Sequence, residues 1–406
     1  MATTAEQMRA WQGPAILSFG FRPFFLLGAA WAALAMVVWV MMLSGNSPLL
    51  TAFDPVAWHA HELLFGYLGA VLAGFLLTAV PNWTGGLPVT GWPLAGLVAL
   101  WLTGRIAVAV SSALPPHAAM ALDLALPVAL AGFLLREIIV GRNWRNLPVL
   151  ILLGIWMLAN AGFHIQALGD GLPAYGAELR LGLLAAIMLI SLIGGRIVPS
   201  FTRNWLVQQK ATRLPAIAGR ADKIILLATA IALAAWVAAP EHAVTAALCG
   251  IAGLGQAWRL ARWQGAQTAA EPLVWVLHVA YAFVPLGFFA IAGAALLDYP
   301  TAAAQHVWMA GAIGLMTLAV MTRASLGHAG RPLRATPAIT ALYVALIVSV
   351  AARFIAGLAP GQDWPLHLAA GAWILAFGGF AVIYFPILAR PKPARKASGG
   401  GKVAAR

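Results

Sequence analysis

Long apolar segments dominate this sequence, and they leave very few folds open to it. Runs of about 20 apolar residues, each long enough to cross the hydrocarbon core of a bilayer, follow one another along most of the chain. Lipid offers no hydrogen-bond partner, so a spanning segment must satisfy its own backbone groups, as an α-helix does. We therefore predict an all-α, polytopic membrane protein.

Twelve such segments are bounded by proline, glycine or charged residues and predict a bundle of about twelve transmembrane helices. They cover residues 20–43, 58–80, 92–110, 118–139, 147–168, 179–200, 222–240, 243–261, 272–297, 305–327, 337–358 and 366–389. We expect residues 1–390 to form a single transmembrane domain and residues 391–406 to be a disordered, basic cytoplasmic tail. Met1–Gln12 is polar and leads into a full-length helix, so we expect no cleaved signal peptide.

Composition excludes several classes of protein. The chain is 62% hydrophobic and only 9% charged, whereas soluble domains carry about 25% charged residues. Its net charge of +13 is typical of cytoplasmic loops on a membrane protein, so we predict no nucleic-acid partner. A single cysteine, Cys249, excludes a disulfide or a thiolate cluster within the chain. Any metal must then be held by nitrogen, oxygen or thioether ligands.

The positive charges fall in alternate loops and predict the topology. Ser44–Ala57, Gly169–Ala177 and Ala359–Pro365 contain no lysine or arginine. The loops between them carry several, among them Arg142, Arg145, Arg203, Lys210, Arg213, Arg331 and Arg334. The positive-inside rule then places both termini in the cytoplasm and the loops without lysine or arginine on the outer side.

Ionisable side chains within the predicted helices concentrate near that outer side. Such residues are costly in lipid, so they usually face a cavity, a partner or a cofactor. We predict an outer polar cluster made of His59, His61, Glu62, Arg105, Asp123, His164, His306 and Arg353. A smaller group near the inner side holds Arg22, Arg196, His278, Arg323 and His328.

Helical spacing limits how the "WHAHE" stretch can act. His59 and His61 are about 200° apart around a regular helix, so they cannot both bind one ion there. His59 and Glu62, three residues apart, should share a face. Three possibilities remain open: two separate sites, an irregular helix end that lets the histidines converge, or one ligand and one residue that orients it.

Six stretches of the chain together resemble one family, the NnrS family of haem- and copper-containing membrane proteins linked to nitric oxide. They are "FGFRPFFLL" (Phe19–Leu27), "WHAHELLFGY" (Trp58–Tyr67), "AGFLLTAVPNWTG" (Ala73–Gly85), "LIGGRIVPSFTRNWL" (Leu192–Leu206), "WVLHVAYAFVPLG" (Trp275–Gly287) and "QHVWMAGAIGLMTLAVMTRASLGHAGRPL" (Gln305–Leu333). The chain departs from the family pattern at Leu63, where methionine is common, and at Ala329, where threonine is usual. After Ala335 only the hydropathy matches.

The resemblance implies haem, of b type, and copper as cofactors. Histidines in the matching stretches then become haem-ligand candidates: His59, His61, His278, His306 and His328. Arg105 and Arg353 become partners for haem propionates. The copper candidates are His59, His61, His306 and Glu62. Two depths of histidine further suggest an outer haem or copper site and an inner haem site that relay electrons across the membrane.

The function that the resemblance implies is protection against nitric oxide at a bacterial inner membrane. It leaves open whether the chain is an enzyme. If it is one, it would be a haem–copper oxidoreductase that acts on nitric oxide or related species. The resemblance names no electron donor. An alternative is a metal-free secondary transporter whose path uses Glu62, Arg105 and Asp123. A third hypothesis is a membrane scaffold that protects metal centres without chemistry of its own.

Overall fold

Twelve long helices form the computed structural model of this chain, which describes residues 11–115, 117–169, 171–297, 299–359 and 361–391. Within those ranges there is no β-strand, so the predicted all-α class is confirmed. We number the helices α1 Phe21–Leu43, α2 Pro55–Thr84, α3 Trp92–Ala109, α4 Ala118–Val140, α5 Leu147–Leu168, α6 Ala177–Gln208, α7 Arg220–Ala238, α8 Ala243–Ala261, α9 Pro272–Leu297, α10 Thr301–His328, α11 Pro337–Leu358 and α12 Trp364–Ala389.

Eleven of these helices are long and apolar enough to cross a membrane, which confirms a polytopic membrane bundle. The exception, α8, has a similar length but contains Gln256 and Arg259, which lower its mean hydropathy. The helices follow the predicted segments closely, although α2, α6 and α10 extend several residues beyond them. The predicted disordered tail lies outside the described residues from 392 onward, as does the start of the polar Met1–Gln12 segment.

Local sequence signals explain where several helices begin. Asp54 caps α2, because its carboxylate accepts hydrogen bonds from the backbone N–H groups of Val56 and Ala57. Thr336 caps α11 in the same way. Prolines occupy the first turn of α2, α3, α5, α11 and α12. Proline lacks a backbone N–H, and in the first turn of a helix that group would have no partner within the helix.

Three helices contain a π-helical turn: Glu62–Tyr67 in α2, Ile190–Gly194 in α6 and Val307–Leu315 in α10. A π turn shifts the backbone hydrogen bonds by one residue, so side chains of neighbouring helices can reach its carbonyls. Trp101 donates to the carbonyl of Gly66 at 3.0 Å, and Arg259 donates to that of Ser191 at 2.8 Å. The helices therefore continue through these turns without breaking.

The centre of the bundle is formed by α2 and α10. The most apolar stretch of each is 83% buried, a larger fraction than in any other spanning helix described. The last helix, α12, packs along the first, and Arg22 in α1 donates to the carbonyls of Leu388 and Arg390 at 3.0 and 2.9 Å. Both ends of the bundle thus lie on the same side, while the assignment of that side to the cytoplasm stays a prediction.

Candidate functional site

The two histidines of "WHAHE" point to different places. The ring of His59 stacks on Trp39 of α1, with ring centres 4.1 Å apart. His61 is fully buried on another face of α2, where its Nε2 lies 3.0 Å from the side-chain oxygen of Asn160 in α5. His59 and His61 therefore belong to two sites, which we call the cavity and the buried carboxylate cluster.

Arg105 joins two carboxylates at the centre of the buried carboxylate cluster, which comprises Trp31, His61, Glu62, Arg105, Asp123, Asn160 and His164. Its guanidinium bonds Glu62 Oε1 at 2.5 Å and also pairs with Asp123 Oδ1. The side chains of the three residues are between 0% and 4% exposed. Trp31 donates to the second oxygen of Glu62 at 2.7 Å. Arg105 is thus held by buried ion pairs and does not extend to the surface.

Asp123 Oδ2 lies within hydrogen-bond distance of three other side chains. His164 Nε2 lies 3.1 Å from it, His61 Nε2 lies 3.2 Å from it, and the amide of Asn160 donates to it at 2.8 Å. His61, Asp123 and His164 each offer one ligand atom within 4.8 Å of the others. Two imidazoles and a carboxylate at this spacing are a donor set suited to a first-row transition metal.

The ring of His61 lies between acceptor atoms on both sides. His61 Nε2 faces oxygens of Asn160 and Asp123, and its Nδ1 lies 3.1 Å from Glu62 Oε1. A neutral imidazole has only one N–H, so in that state His61 donates on one side only.

Glycine is required where Arg105 passes α2. A Cβ built on Gly66 would collide with the guanidinium of Arg105 and would lie 2.8 Å from Glu62 Oε2. The same arrangement recurs beside the π turn of α6, where a Cβ on Gly195 would collide with the guanidinium of Arg259. A small residue and a π turn together allow an arginine to approach the helix backbone.

The cavity has a volume of about 640 Å³ and is lined by residues of α1, α2, α6, α7, α9, α10, α11 and α12. Its wall is mostly apolar and aromatic and includes Trp39, Leu63, Tyr67, Trp236, Met309, Ile313 and Trp373. The polar side chains among its lining residues include His59, Arg180, Glu241, His306 and Arg353. This size and lining are typical of a binding site for a large, mostly apolar ligand with charged groups at one end.

The two cavity histidines are free to bind a ligand. His306 Nδ1 lies 2.6 Å from the carbonyl of Ala302 and must donate to it, which leaves Nε2 unprotonated in the neutral ring. His59 makes no hydrogen bond to any described residue, and its Nδ1 is fully buried. A hydrogen bond that fixes one ring nitrogen and exposes the other is how proteins present metal-ligating histidines.

Arg353 is a half-buried cation that has no acidic partner among the described residues. It lines the cavity and forms no ion pair or hydrogen bond with any described residue, and its Nε is fully buried. At the cavity rim Arg180 donates to the carbonyls of Tyr175 and Val237. A half-buried guanidinium beside an apolar cavity favours an anionic ligand, since an unpaired charge is costly where water is largely excluded.

The predicted inner residues each contact a neighbour outside the predicted group. His278 lies 2.7 Å from the hydroxyl of Thr202, and the ring of His328 packs against those of Phe19 and Phe21. Arg323 lies over the ring of Phe201 at 4.4 Å. The exposed Arg196 bonds Asn146 at 3.4 Å. None of these four predicted residues lines the cavity, so an inner haem site stays a prediction without a shared pocket.

The predicted outer cluster is thus two sites. Glu62 was expected to share a face with His59, and the backbone between them is regular α-helix, but its carboxylate lies in the cluster, where it bonds His61 and Arg105. The copper candidates also divide, with His59 and His306 in the cavity and His61 and Glu62 in the cluster.

Two functional residues were missed, and each had a signal. Asn160 stands four residues before His164, so the two share a face of α5. Arg180 is an arginine next to an outer loop, which the positive-inside rule does not explain.

The fold and the two sites define a polytopic membrane protein with a buried His/Asp cluster and a histidine-lined cavity. A sequence model of the NnrS proteins matches residues 15–392, nearly the whole chain. The chain therefore belongs to the NnrS family, as the resemblance predicted. A search of curated protein sequences finds no match.

Proposed function

We propose that this chain is a haem- and copper-binding protein of the bacterial inner membrane that protects cells against nitric oxide. It would do so by binding or turning over nitric oxide or its metal adducts. The observation that carries the proposal is the cavity, where His306 presents an unprotonated Nε2 near His59 and an unpaired Arg353. Family membership supports the nitric-oxide link.

The cavity residues fit haem in three respects. Its volume of about 640 Å³ lies within the usual range for ligand sites of about 300–1,000 Å³. His59 and His306 supply imidazole nitrogens, the ligands that suit iron. Arg353 supplies a cation for a propionate. When bound, haem would provide the iron that combines with nitric oxide.

The chain's own residues would orient and isolate that ligand. The carbonyl of Ala302 holds the ring of His306 in one tautomer, and Trp39 holds the ring of His59 by stacking. The apolar wall excludes water, which strengthens the attraction of Arg353 for a carboxylate. Copper would bind the buried carboxylate cluster through His61, Asp123 and His164.

The transporter alternative is less well supported by the geometry. Glu62, Arg105 and Asp123 satisfy one another in a closed cluster, so they do not line a path open to a substrate. The helices also continue through their π turns, whereas many transporters use unwound helices at the substrate site.

The test is an optical spectrum of the purified protein with iron and copper counts. We expect a Soret band, loss of haem in His306→Ala and in His59→Ala, and loss of copper but not haem in His164→Ala. His367→Ala changes a histidine at the outer end of α12 and serves as the control. A well-folded protein with no Soret band and no copper would refute the proposal, and haem retained in both cavity variants would refute the site.

Protection is tested in cells. A bacterium that lacks its own copy of the gene should regain growth under nitric-oxide exposure when it expresses the natural chain, and should not regain it with His306→Ala at equal protein level. Equal rescue by both chains would show that protection does not depend on the cavity.

A further inference from the structure

Residues at the ends of four loops line one end of the cavity, which we call the mouth. They are Val56 at the start of α2, Tyr175 before α6, Glu241 after α7 and Thr301 at the start of α10. Successive helices of the bundle alternate in direction, so all four lie at the end opposite both termini, the predicted outer side. The side chains of Val56 and Tyr175 are 37% and 65% exposed, and Glu241 and Thr301 are exposed as well. The mouth is therefore accessible from outside the bundle.

The other end of the cavity, which we call the floor, is closed by buried aromatic side chains. Tyr67 lies eleven residues after Val56, about 16 Å along the axis of α2. Its ring packs on that of Phe377, with ring centres 5.0 Å apart. Trp373 packs on the same phenylalanine and donates to the carbonyl of Ala32 at 3.0 Å. None of the described residues that line the cavity belongs to a loop on the side of the termini.

The polar groups of the cavity lie near the mouth, and the wall below them is apolar. His59 lies about 4.5 Å along the helix from Val56, and His306 lies about 7.5 Å from Thr301. Arg353 is close enough to both histidines to interact with them electrostatically. The wall between the histidines and the floor includes Leu63, Leu64, Met309 and Ile313. A ligand that fills the cavity must therefore be polar at one edge and apolar at the other.

We propose that the cavity receives its ligand through the mouth, from the side opposite both termini, and holds it with its carboxylates at the mouth and its apolar edge on the floor. Haem fits this description, because its two propionates leave one edge of an otherwise apolar ring. The identity of the ligand rests on the proposed function. The route rests on the shape of the cavity alone.

A cysteine placed inside the cavity reports on the route. Leu63 is half-buried and lies between the mouth and the floor, so Leu63→Cys puts a thiol on the cavity wall. Met309→Cys does the same from α10 and replaces it if the first variant does not fold. The chain's own Cys249 is buried and gives the background. A charged methanethiosulfonate does not cross the bilayer, so it reaches opposite faces of the protein in spheroplasts and in inverted vesicles.

Two control variants mark the two sides without assuming which is cytoplasmic. Leu50→Cys lies in the loop before α2, where the natural side chain is 64% exposed and does not line the cavity. Ala338→Cys is exposed at the start of α11, at the other end of the bundle. We expect Leu63→Cys to react from the same side as Leu50→Cys and not from the side of Ala338→Cys.

The orientation of the ligand is tested with haem and with haem dimethyl ester, which lacks the two negative charges. Added haem should abolish the labelling of Leu63→Cys and leave that of Leu50→Cys unchanged. The ester should bind about tenfold or more weakly than haem, since it loses a charge-assisted hydrogen bond. Arg353→Gln should bind haem and the ester equally.

Labelling of Leu63→Cys from the side of Ala338→Cys would overturn the route, as would no labelling from either side while both controls react. Equal binding of haem and the ester by the natural chain would overturn the orientation. Labelling through the mouth in a protein that shows no Soret band with added haem would refute the proposed function and retain the route.

Discussion

Removing Arg105 should destabilise the protein strongly, because it leaves two buried carboxylates without their shared cation. In Arg105→Met the side chain keeps much of its length but loses its charge. Glu62 would retain Trp31 and His61, and Asp123 would retain Asn160 and His164. Hydrogen bonding therefore remains largely satisfied, and charge is the quantity that changes.

The size of the loss in unfolding free energy follows from the least costly way to compensate for the missing positive charge of Arg105. Placing a proton on a carboxylate at neutral pH costs about 4 kcal/mol, since such groups ionise near pH 4 in water. That figure agrees with the roughly 3–5 kcal/mol measured when one partner of a buried ion pair is removed. We expect the free energy of unfolding to fall by that amount at neutral pH. The loss should shrink by about 1.4 kcal/mol for each unit of pH decrease, because protons then become easier to supply.

Chemical unfolding of the detergent-solubilised protein, followed by tryptophan fluorescence at several pH values, measures this change. The matched control is Arg136→Met. The side chain of Arg136 is 70% exposed, although that of its partner Glu137 is only 5% exposed. A pair that water reaches from the arginine side contributes about 0–1 kcal/mol, so the control should change little. If both variants lose the same stability, or if the loss does not depend on pH, the electrostatic account of the cluster is wrong.

Three further predictions test other features of the structure. Gly66→Ala should cost about 1–3 kcal/mol of unfolding free energy because its Cβ meets Arg105, whereas Gly96→Ala, with nothing within 4 Å, should cost nothing measurable in the same denaturation assay. Asp54→Ala should cost about 1 kcal/mol through loss of the α2 cap, and an unchanged unfolding midpoint would count against that cap. Cys249, buried in α8, should react with a maleimide only after unfolding, and rapid labelling of the native protein would contradict its burial.

The bundle could be predicted from sequence because hydropathy acts on each segment separately. Lipid requires every segment to be helical and about 20 residues long, and the chain meets both conditions without reference to its neighbours. The separation of His59 from His61 also followed from local geometry, since helical spacing already placed them on different faces.

The partners within each site could not be predicted in the same way. Helical spacing alone grouped Glu62 with His59, but the carboxylate of Glu62 pairs with Arg105 of α3, and spacing within one helix says nothing about a partner in another. Whether Arg105 is buried in ion pairs depends on the space left by Gly66 and on Asp123 in another helix. Hydropathy carries no information about such packing between helices. Arg353 was expected to be buried and is half-buried, and its lack of an acidic partner among the described residues is evident only in the folded bundle.

The contact between the first and last helices has a consequence for how the protein is made. The face of α1 that packs on α12 must wait until about 340 further residues have been synthesised. At roughly 5–20 residues per second, that wait is on the order of 20–70 s. During this time α1 lies in the membrane without its final neighbour, and Arg22 lacks the two carbonyls that it later binds. Ribosomes that stop before α12 should therefore leave an open bundle that membrane proteases can recognise.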